Sequence, residues 1–557
     1  MPVVIKREIE RLVAEGVQRA MDEGAIAHVA APDIVVERPQ NPEYGDYATN
    51  VALRLARAAR AAPVEIARLV AERIPASDAV AEVAVAPPGF INFRLSDDWL
   101  KRQVDVIRQA GPRFACLDVG GGRKTQVEFV SANPTGPLTA GNGRGAALGG
   151  ALSNVLEAAG YAVEREYLVN DAGTQTDVFG RTLAARYLQL FGRDVDIPPD
   201  GYPDEYMVDL ARLIRDEFGD RFVGMDPENP PEEMVLRAVD EVVEWARRDL
   251  EAMGIVYDVW FRERSLYGDG ENLHETTMRI LRERGFLVEK EGAVWFASSQ
   301  IGEDKDNVVV RSTGKPTYLA SDIAYHYDKF VRRGFDWVIN VWGADHQGHV
   351  SRLKAAVEAL GIDREKLDIL IYQLVHFRRG AETLRLSKRR GQIITVRDVV
   401  EEVGADAAKF FFLSRSADSQ LEFDLELAKR QSAENPVYYV QYAHARIAGI
   451  LNHARERIPA FDDGDVALLG HPMELALIRK MLLLPELVET IARTLEPHHL
   501  PHYALDLATA FHAFYTECRV VSDDVALSKA RLKLTDAARV ALARTLGLMG
   551  VSAPERM

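Results

Sequence analysis

Cysteine is scarce in this chain, and its scarcity narrows the classes of protein to consider. The 557 residues include two cysteines, Cys116 and Cys518, which are far apart. This excludes a disulfide-bonded scaffold and a zinc site built from cysteines, and it is typical of a reducing compartment. Long apolar runs are also missing, so we expect no membrane span. The segment MPVVIKREIERLVAEG has charges where a signal peptide is apolar, which predicts a cytoplasmic protein.

An excess of positive charge is missing as well. Lys and Arg total 68 against 84 for Asp and Glu, which gives a formal net charge of −16. This balance argues against a protein that coats nucleic acid without specificity, although it leaves room for a local basic track. Basic clusters occur at 329–333, 378–379 and 385–390, and a solvated surface is the alternative interpretation of each.

Changes of pattern divide the chain into four segments. These are a small α/β unit (1–110), a parallel-sheet domain with an insertion at about 176–300 (111–380), a basic loop with a connecting segment (381–424) and an all-helical unit (425–557). In the first segment, apolar residues recur with helical spacing from Ile5 to Val17, and strands are indicated at 83–85 and 90–93. In the last, Tyr503, Leu507, Phe511, Phe514 and Tyr515 form one apolar stripe on a predicted helix.

The second segment has the pattern of an open α/β sheet. It predicts a strand at 124–130, a helix at 141–160 and a strand at 161–169, then strands at 308–310 and 337–341, a helix at 348–360 and a strand at 368–375. A strand, a helix and a second strand within a short stretch are typical of a parallel βαβ unit. The acidic, proline-rich stretch 195–235 predicts loops within the insertion.

The first motif with a chemical interpretation is SANPTGPLTAGNGRGAALGGAL, residues 131–152. Gly141, Gly143 and Gly145 fall at the start of a predicted helix, after a strand and a Pro-Gly turn. Glycine lets a ligand approach the backbone closely, and a helix N-terminus has free N–H groups, so this segment suits a phosphate group. The spacing matches neither a dinucleotide-binding loop nor a Walker A loop. Tight packing of the helix is the alternative interpretation of these glycines.

Three further segments carry groups that suit ligand binding. RLSKRRG (385–391) offers a flexible lysine that can hold a polyphosphate. In YLASDIAY (318–325), helical spacing puts Asp322 on one face with Tyr318 and Tyr325, an arrangement that can hold a cation; a capped amphipathic helix is the alternative. WGADHQG (342–348) follows a strand, at the edge where open α/β sheets bind ligands.

Histidine-rich positions do not predict a metal site. His346 and His349 lack a third ligand at a matching spacing. His498, His499 and His502 are interpreted as the polar start of a helix. We therefore predict that no protein side chains form a metal centre.

Taken in order, these motifs resemble class I aminoacyl-tRNA synthetases, and specifically the arginyl-tRNA synthetase family, over nearly the whole chain. VEFVSANPTGPL is similar to the strand that leads into the family's HIGH motif, YLVNDAGTQ to the segment after it, and RLSKR to KMSKS. GEDKDNVVV, YLASDIAYH and GADHQGH follow in the family's order. ERPQNPEYGDYATNVAL resembles the family's amino-terminal module, and NPVYYVQYAHARI with LGLMGVSAPERM its anticodon-binding bundle.

The resemblance implies both a fold and a reaction. The fold is α/β: a class I synthetase catalytic domain with a Rossmann-like parallel sheet and an insertion, a small α/β tRNA-contacting domain before it and an all-α anticodon-binding bundle after it. The reaction is arginine activation by ATP with Mg²⁺, followed by transfer to the terminal adenosine of tRNA(Arg). The family usually activates arginine only when tRNA is bound. We further expect a monomer that contacts no membrane.

The resemblance also implies site residues. For catalysis they are Thr139, Gly141, Asn142, Arg385, Ser387 and Lys388; for ATP, Pro137, Gly141, Asn142, Arg144, Asp345, His346 and Lys388. For arginine they are Glu128, Ser131, Asn133, Tyr318, Asp322 and Gln347, with Glu128 and Asp322 as the carboxylates for the guanidinium group. For tRNA they are Asn41, Tyr44, Tyr47, Tyr438, Tyr439 and Tyr442, with core packing as the alternative for the tyrosines.

Two departures from the family pattern leave alternatives open. Both histidines of HIGH are absent, because the positions hold Thr139-Ala140-Gly141-Asn142, and Lys124 or Arg144 is expected to supply positive charge instead. The first lysine of KMSKS is Arg385. A catalytically silent tRNA-binding paralogue is therefore the alternative function, and an enzyme with the same core but another amino acid or acyl acceptor is a second.

Overall fold

The computed structural model describes residues 4–30, 32–268, 272–380, 382–384 and 394–557, and for Thr174 and Thr383 it describes the backbone alone. Within these ranges the chain forms helices and four sheets, of which the largest has five strands. No helix in this part of the chain is long and apolar enough to cross a membrane.

The amino-terminal unit packs helices against an antiparallel sheet. Its elements are α1 (Ile5–Asp22), β1 (Val36–Glu37), β2 (Tyr47–Thr49), α2 (Val51–Ala59), α3 (Pro63–Ala71), β3 (Val80–Ala86), β4 (Phe90–Leu95) and α4 (Asp97–Ala110). The strand order is β1-β2-β4-β3. Helix α1 buries Ile5, Ile9, Val13 and Val17, which confirms the predicted apolar face.

A strand–helix–strand unit opens the parallel-sheet domain. The next elements are β5 (Lys124–Phe129), α5 (Ala140–Ala158), β6 (Ala162–Val169), α6 (Thr174–Leu190), α7 (Tyr206–Phe218), α8 (Glu232–Ala252) and β7 (Val259–Arg262). The predicted strand, helix and strand are confirmed as β5, α5 and β6. The prediction of loops over 195–235 is wrong in part, since α7 lies within it and buries Met207, Leu210 and Ile214 next to α6 and α8.

The second half of the domain begins with a small antiparallel sheet. Its elements are α9 (Leu273–Glu283), β8 (Leu287–Lys290), β9 (Ala293–Phe296), β10 (Asn307–Val310), α10 (Tyr318–Tyr327), β11 (Trp337–Gly343), α11 (Val350–Ala359) and β12 (Leu367–Tyr372). Strands β8 to β10 form the small sheet, in the order β10-β9-β8. The predicted strand at 337–341 and helix at 348–360 are confirmed as β11 and α11.

The central sheet is parallel throughout and has the order β12-β11-β5-β6-β7. The chain runs outward from β5 in one direction to β7 and then in the other to β12, so the order reverses beside β5. Ligands bind at such a reversal, outside the carboxyl ends of the strands. Strand β7 lies inside the segment 176–300 that the sequence presents as one insertion, yet it forms an edge of this sheet.

The remaining elements form a small connecting sheet and the helical unit. They are β13 (Val375–Arg379), β14 (Glu382–Thr383), α12 (Val396–Val403), α13 (Ala405–Leu413), β15 (Leu421–Asp424), α14 (Leu425–Lys429), α15 (Pro436–Ala454), α16 (Pro472–Met481), α17 (Leu483–Thr494), α18 (His499–Glu517) and α19 (Val525–Leu548). Of the predicted stripe on α18, Tyr503, Leu507, Phe511 and Phe514 are buried. Helix α4 packs against α16 and α19, so the amino-terminal and helical units are in contact.

Candidate active site

A tight turn after β5 shapes the edge of the central sheet. Val130 and Ser131 adopt left-handed backbone conformations, with φ of 69° and 41°. These are strained for residues with a side chain and persist where neighbouring bonds hold them. Here the Ser131 hydroxyl donates to Oε1 of Glu128 at 3.0 Å and accepts the N–H of Leu168 at 3.1 Å. These two hydrogen bonds therefore fix the direction in which the chain continues after β5.

Asn133 follows this turn and contacts two other segments. Its Nδ2 donates to Oε1 of Gln175 at 2.7 Å, and its Oδ1 accepts from the hydroxyl of Tyr318 at 3.3 Å. Tyr318 begins α10 and is 45% exposed, so its ring borders solvent. Two residues predicted for the arginine site are thus in direct contact.

Asp322 lies one helical turn after Tyr318, as the predicted shared face requires. Burial, reinforced by the charges of Glu263 and Glu128, raises its pKa to about 7. Among the described residues, none hydrogen-bonds or forms an ion pair with this carboxylate. A cationic ligand stabilises the ionised form of a carboxylate, and this stabilisation is greatest where the carboxylate is desolvated and lies beside other acids.

Glu263 is a second acidic group of this site, and the sequence analysis missed it. It directly follows β7, is 6% exposed and has one carboxylate oxygen, Oε2, without a hydrogen-bond partner. Burial raises its pKa to about 7, against the opposing effect of hydrogen bonding by Ser321. The signal that could have found it is its place after a strand of the sheet, but β7 was not recognised as one.

Glu128 has a different partner from the one expected. Its Oε2 accepts a hydrogen bond of 2.6 Å from Nζ of Lys329, and both side chains are buried. A carboxylate has further acceptor positions beside this bond, so the assignment of Glu128 as a carboxylate for the guanidinium group stays a prediction. Asp322 and Glu263 are two further acids of this site for which the described residues provide no cationic partner.

The start of α5 is built by a capping arrangement. Oδ1 of Asn142 accepts from both the backbone N–H and the hydroxyl of Thr139, at 2.9 and 2.8 Å. The same segment pairs with the chain after the basic loop, because Ala140 N–H donates to the carbonyl of Ile394 at 2.8 Å. Thr139 and Asn142 therefore bond to each other. The N–H groups of Ala140 and Asn142 are already paired, so Nδ2 of Asn142 and the N–H of Gly141 are available donors.

The glycines of α5 divide into two groups. A Cβ at Gly143 would lie 2.8 Å from the ring of Phe412, one at Gly145 2.9 Å from Tyr372, and one at Gly149 would overlap the ring of Phe129. At Gly141 the nearest atom would be the Thr139 hydroxyl at 3.7 Å. Close packing thus explains the later glycines, and Gly141 alone of these four keeps open space for a ligand.

The two cations expected to replace the missing histidines do not serve that role. Arg144 is fully buried, and its guanidinium group donates to the carbonyls of Gln373, Ser416 and Ser419 at 2.7 to 2.8 Å. The guanidinium group therefore holds the two loops that carry these carbonyls against α5. Lys124 is the first residue of β5, at the opposite end of the strand from the site, and donates to the carbonyl of Arg333.

Two of the other predicted nucleotide-binding residues, Asp345 and His346, lie along the same sheet edge, together with Gln347 of the predicted arginine site. Asp345, His346 and Gln347 are exposed on the turn that follows β11, with Nε2 of His346 3.5 Å from Oδ2 of Asp345. Pro137 is partly buried in the turn before α5. Arg385, Ser387 and Lys388 lie outside the described residues.

At the start of α18, Glu496, His498 and His499 each offer one ligand atom within 4.8 Å of the others. This is the group of potential metal ligands that the described part of the chain contains. The interpretation of these histidines as a helix start, without a metal, stays a prediction.

Comparison with known proteins identifies the family. Residues 7–95 match the family described as arginyl tRNA synthetase N terminal domain, residues 117–419 the class I (R) tRNA synthetase catalytic domain and residues 440–557 the DALR anticodon binding domain. The arginine–tRNA ligase of Dehalococcoides mccartyi is 52% identical over 555 residues, 100% of this chain and 99% of that protein. That of Heliobacterium modesticaldum is 49% identical over 560 residues, 99% of each chain.

The chain belongs to the arginyl-tRNA synthetase family. A structure assigned as an arginyl-tRNA synthetase from Campylobacter jejuni superimposes with a TM-score of 0.76 at 33% identity, over 83% of this chain and 100% of that one. The Thermus thermophilus arginyl-tRNA synthetase shares the fold with a TM-score of 0.78 at 23% identity, over 99% and 100%. The predicted class I synthetase fold is confirmed.

In the amino-terminal domain of the synthetase, the three residues predicted to contact tRNA differ in their exposure to solvent. Tyr44 is 54% exposed, and Asn41 accepts from the N–H of Glu43, which closes the turn that carries Tyr44. Tyr47 is fully buried, and its hydroxyl bonds to Glu486 of the helical domain. The prediction that Tyr47 contacts a base is therefore corrected, because its ring is a domain-interface residue.

The anticodon-binding domain of the synthetase carries an aromatic surface on α15 and α18. The rings of Tyr438 and Tyr442 lie 6.3 Å apart and are nearly parallel, and Tyr442 is 41% exposed. His512 packs between Tyr439 and Tyr442, and Arg446 lies over Tyr442. Exposed rings and a guanidinium group form a platform on which bases can stack.

Proposed function

We propose that this chain activates L-arginine with ATP and transfers it to tRNA(Arg). A carboxylate oxygen of arginine attacks the α-phosphate of ATP, which gives arginyl-adenylate and releases pyrophosphate. A hydroxyl of the terminal adenosine of tRNA then attacks the arginyl carbonyl, and AMP leaves. Full-length relatives that are 52% and 49% identical and are named arginine–tRNA ligase support this proposal.

The observation that carries the proposal is the pair Asp322 and Glu263. Glu263 is buried and Asp322 is partly buried, both have a pKa raised to about 7, and neither has a cationic partner among the described residues. A guanidinium group offers planar, paired N–H donors that match two carboxylates, whereas a lysine ammonium group does not. The site therefore favours arginine and rejects lysine.

The remaining pocket residues orient the other end of the amino acid. Asn133 and Tyr318 are joined by a hydrogen bond and border solvent, so they suit the α-ammonium end of arginine. Ser131 fixes the turn that carries Asn133, and Glu128 forms the inner wall with its partner Lys329. Gln347 is assigned to the same pocket from the turn after β11.

The start of α5 is the proposed phosphate site. Gly141 leaves room for close approach, and the N–H groups of a helix N-terminus favour anions. Thr139 and Asn142 hold this start in shape, with Pro137 in the turn before it, and Asp345 and His346 are assigned to the adenosine. Lys388, with Arg385 and Ser387, would stabilise the leaving pyrophosphate.

Mg²⁺ with the ATP is part of the proposal. The capped start of α5 offers uncharged donors, so it fits a polyphosphate whose charge a metal offsets. Mg²⁺ bound with the ATP would supply that neutralisation. We further propose that the enzyme activates arginine only when tRNA is bound, and that it is a cytoplasmic monomer. The residues proposed to contact tRNA are Asn41, Tyr44, Tyr438, Tyr439 and Tyr442.

Asp322→Asn tests the pocket. We expect the dissociation constant of L-arginine, measured by calorimetry, to rise roughly 30-fold or more, because a charge-assisted bond to a desolvated carboxylate contributes about 2–3 kcal/mol. Asp328→Asn is the matched control, since Asp328 is a buried acid just after α10 that pairs with Arg332 and Arg333. Arginine charging onto tRNA by the unmodified chain separates the enzyme from a silent paralogue.

A further inference from the structure

Tyr206 lies beside the candidate site but belongs to a helix to which the reaction assigns no role. It is the first residue of α7, and α7 packs with α6 and α8 into a unit that we call the helical insertion. The hydroxyl of Tyr206 donates to the backbone carbonyl of Thr135 at 2.7 Å. In the chain, Thr135 lies between Asn133 of the arginine site and Pro137 of the phosphate site. The tyrosine therefore contacts the segment that joins these two sites.

The joining segment, residues 134–137, has few hydrogen bonds to hold it. Pro134 and Pro137 have no backbone N–H, and the N–H of Thr135 donates back to the carbonyl of Asn133 at 2.8 Å. Among the described residues, the bond from Tyr206 is the one hydrogen bond that connects 134–137 to another element. Without this bond, the course of the chain between the two sites depends on packing alone.

Gly136 shows how closely the tyrosine fits against the joining segment. A Cβ at Gly136 would lie 2.9 Å from both Cζ and the hydroxyl oxygen of Tyr206. Heavy atoms in van der Waals contact lie about 3.5–4.0 Å apart, so a side chain at this position would displace the hydroxyl. The carbonyl of Thr135 and the backbone of Gly136 therefore contact the same end of one side chain.

Tyr206 is itself held in place by the helical insertion. The loop before it lies on α6, because the N–H of Tyr202 donates to the hydroxyl of Thr182 at 3.3 Å and the ring of Tyr202 packs against Phe179. Burial raises the pKa of the Tyr206 phenol group, so the hydroxyl keeps its proton at neutral pH. The insertion therefore determines where this hydroxyl lies.

A second residue of the insertion holds the start of the same stretch of chain. Gln175, in the first turn of α6, accepts from Nδ2 of Asn133 at 2.7 Å. The two contacts, at Asn133 and at Thr135, lie two residues apart and come from two helices that pack on each other. The insertion therefore contacts this stretch once at the arginine site and once between the two sites.

We propose that Tyr206 is a positioning residue of the activation step: through the carbonyl of Thr135 and the backbone of Gly136, it sets the distance between the arginine site and the phosphate site. This inference rests on the proposed function, in which arginine bound at Asn133 attacks the α-phosphate of ATP bound at Gly141. The rate of such a step depends steeply on the distance between the reacting atoms, and a displacement of about 1 Å can cost about a hundredfold in rate. Binding of either substrate by itself does not depend on this distance. Loss of the Tyr206 contact should therefore lower kcat and leave each KM nearly unchanged.

Tyr206→Phe in the full-length protein tests this role, with Tyr187→Phe as the matched control. The hydroxyl of Tyr187 also donates to a backbone carbonyl at 2.7 Å, but to that of Gly219, at the far end of α7 from Tyr206. The readout is arginine-dependent ATP–pyrophosphate exchange in the presence of tRNA(Arg), which gives kcat and KM for both substrates. In Tyr206→Phe we expect kcat to fall roughly fivefold or more and each KM to stay within about twofold. Tyr187→Phe should lower the melting temperature at least as much and leave kcat unchanged.

Gly136→Ala tests the same contact from the other side. The added methyl group displaces the hydroxyl of Tyr206 without removing it, so kcat should again fall while each KM holds. The double variant Tyr206→Phe/Gly136→Ala should lose less than the product of the two single losses, because both changes act on one contact. If Tyr206→Phe does not fold, Gly136→Ala still tests the proposal, and an unchanged kcat in that variant overturns it.

An unchanged kcat in folded Tyr206→Phe, with a lower melting temperature as in Tyr187→Phe, would show that Tyr206 only packs the insertion against the rest of the domain. A raised KM for one substrate with unchanged kcat would also overturn the proposal, because the hydroxyl would then support one site and not the spacing of both. In contrast, failure of the unmodified chain to charge tRNA(Arg) with arginine would contradict the proposed function, so the two failures are distinguishable.

Discussion

The hydroxyl of Tyr318 donates a 3.3 Å hydrogen bond to Oδ1 of Asn133, which joins positions 185 residues apart. One residue begins α10, and the other follows β5, so this bond closes the pocket between a helix and the edge of the sheet. Asn133 is also held from its other side, because its Nδ2 donates a 2.7 Å hydrogen bond to Oε1 of Gln175. The pocket therefore depends on three segments that the chain brings together only on folding.

Tyr318→Phe should weaken arginine use moderately. The change removes one hydroxyl and leaves the ring, so the loss is that of a single hydrogen bond, about 1 kcal/mol, or roughly fivefold in kcat/KM for arginine. Charging kinetics at varied arginine concentration measure it. Tyr327→Phe, the same change on the same helix, is the control and should leave kcat/KM unaltered; an equal loss in both variants would contradict the role of Tyr318.

Arginine affinity should fall as the medium becomes more acidic. The guanidinium group binds the ionised forms of Asp322 and Glu263, and the pKa of each is raised to about 7. Below that pH protons occupy the carboxylates, so KM for arginine should rise by up to about tenfold per pH unit for each acid that must ionise. Charging at saturating ATP between about pH 6 and about pH 8 checks this. A flat profile of KM would show that the two acids do not bind arginine.

Asp322→Asn should stabilise the protein in the absence of arginine. A carboxyl group with a raised pKa stabilises the fold while it is protonated, and that contribution is lost as the pH rises towards 7. The variant should therefore be more stable than the unmodified chain by roughly 1–3 kcal/mol at pH 8, with a smaller difference at pH 5. Chemical denaturation at both pH values gives the comparison, and an equal difference at each pH would argue against a raised pKa.

Arg144→Met should destabilise the protein without weakening ATP binding. Three backbone carbonyls would lose a charged donor in the interior, which costs about 3 kcal/mol or more. The midpoint of denaturation measures this loss. Where the variant is folded, KM for ATP should equal that of the unmodified chain. A raised KM for ATP with unchanged stability would instead return Arg144 to the phosphate site.

Gly141→Ala and Gly149→Ala should have contrasting effects on the same helix. A methyl group at Gly149 would overlap the ring of Phe129, so we expect a loss of about 2–4 kcal/mol in stability. At Gly141 a methyl group meets open space, so stability should hold or rise slightly. There the expected effect is a higher KM for ATP, and an unchanged KM would move the phosphate site away from Gly141.

Tyr47→Phe and Tyr44→Ala separate domain packing from tRNA contact. Tyr47 is buried and bonds to Glu486, so its change should lower the melting temperature and leave KM for tRNA close to normal. Tyr44 is exposed, so its change should raise KM for tRNA, roughly threefold or more, with stability unchanged. Charging at varied tRNA concentration and a thermal melt of each variant give the test; the reverse pattern would restore Tyr47 as a base contact.

Much of the fold could be predicted from local patterns. The helical spacing of Ile5 to Val17, the βαβ pattern at β5, α5 and β6 and the strand at β11 each depend on near neighbours in the chain, and the structure confirms them. The spacing of Tyr318 and Asp322 fixed their shared face for the same reason. Helix α7 was missed because the prolines and acids before it masked an apolar face that becomes buried only against α6 and α8. Strand β7 was missed because its four partly buried residues are too few to form a recognisable pattern.

The sequence by itself determined the family, the order of the domains and the segments that carry the site. Only the tertiary structure decided the partner of each charge: Glu128 pairs with Lys329, Arg144 with three carbonyls and Tyr47 with Glu486, while Asp322 and Glu263 keep their capacity for a cation. The physical reason is that residue type and spacing are local properties. Burial and pairing depend on contacts between distant segments. These contacts determine which charged groups are paired within the protein and which can still bind a ligand.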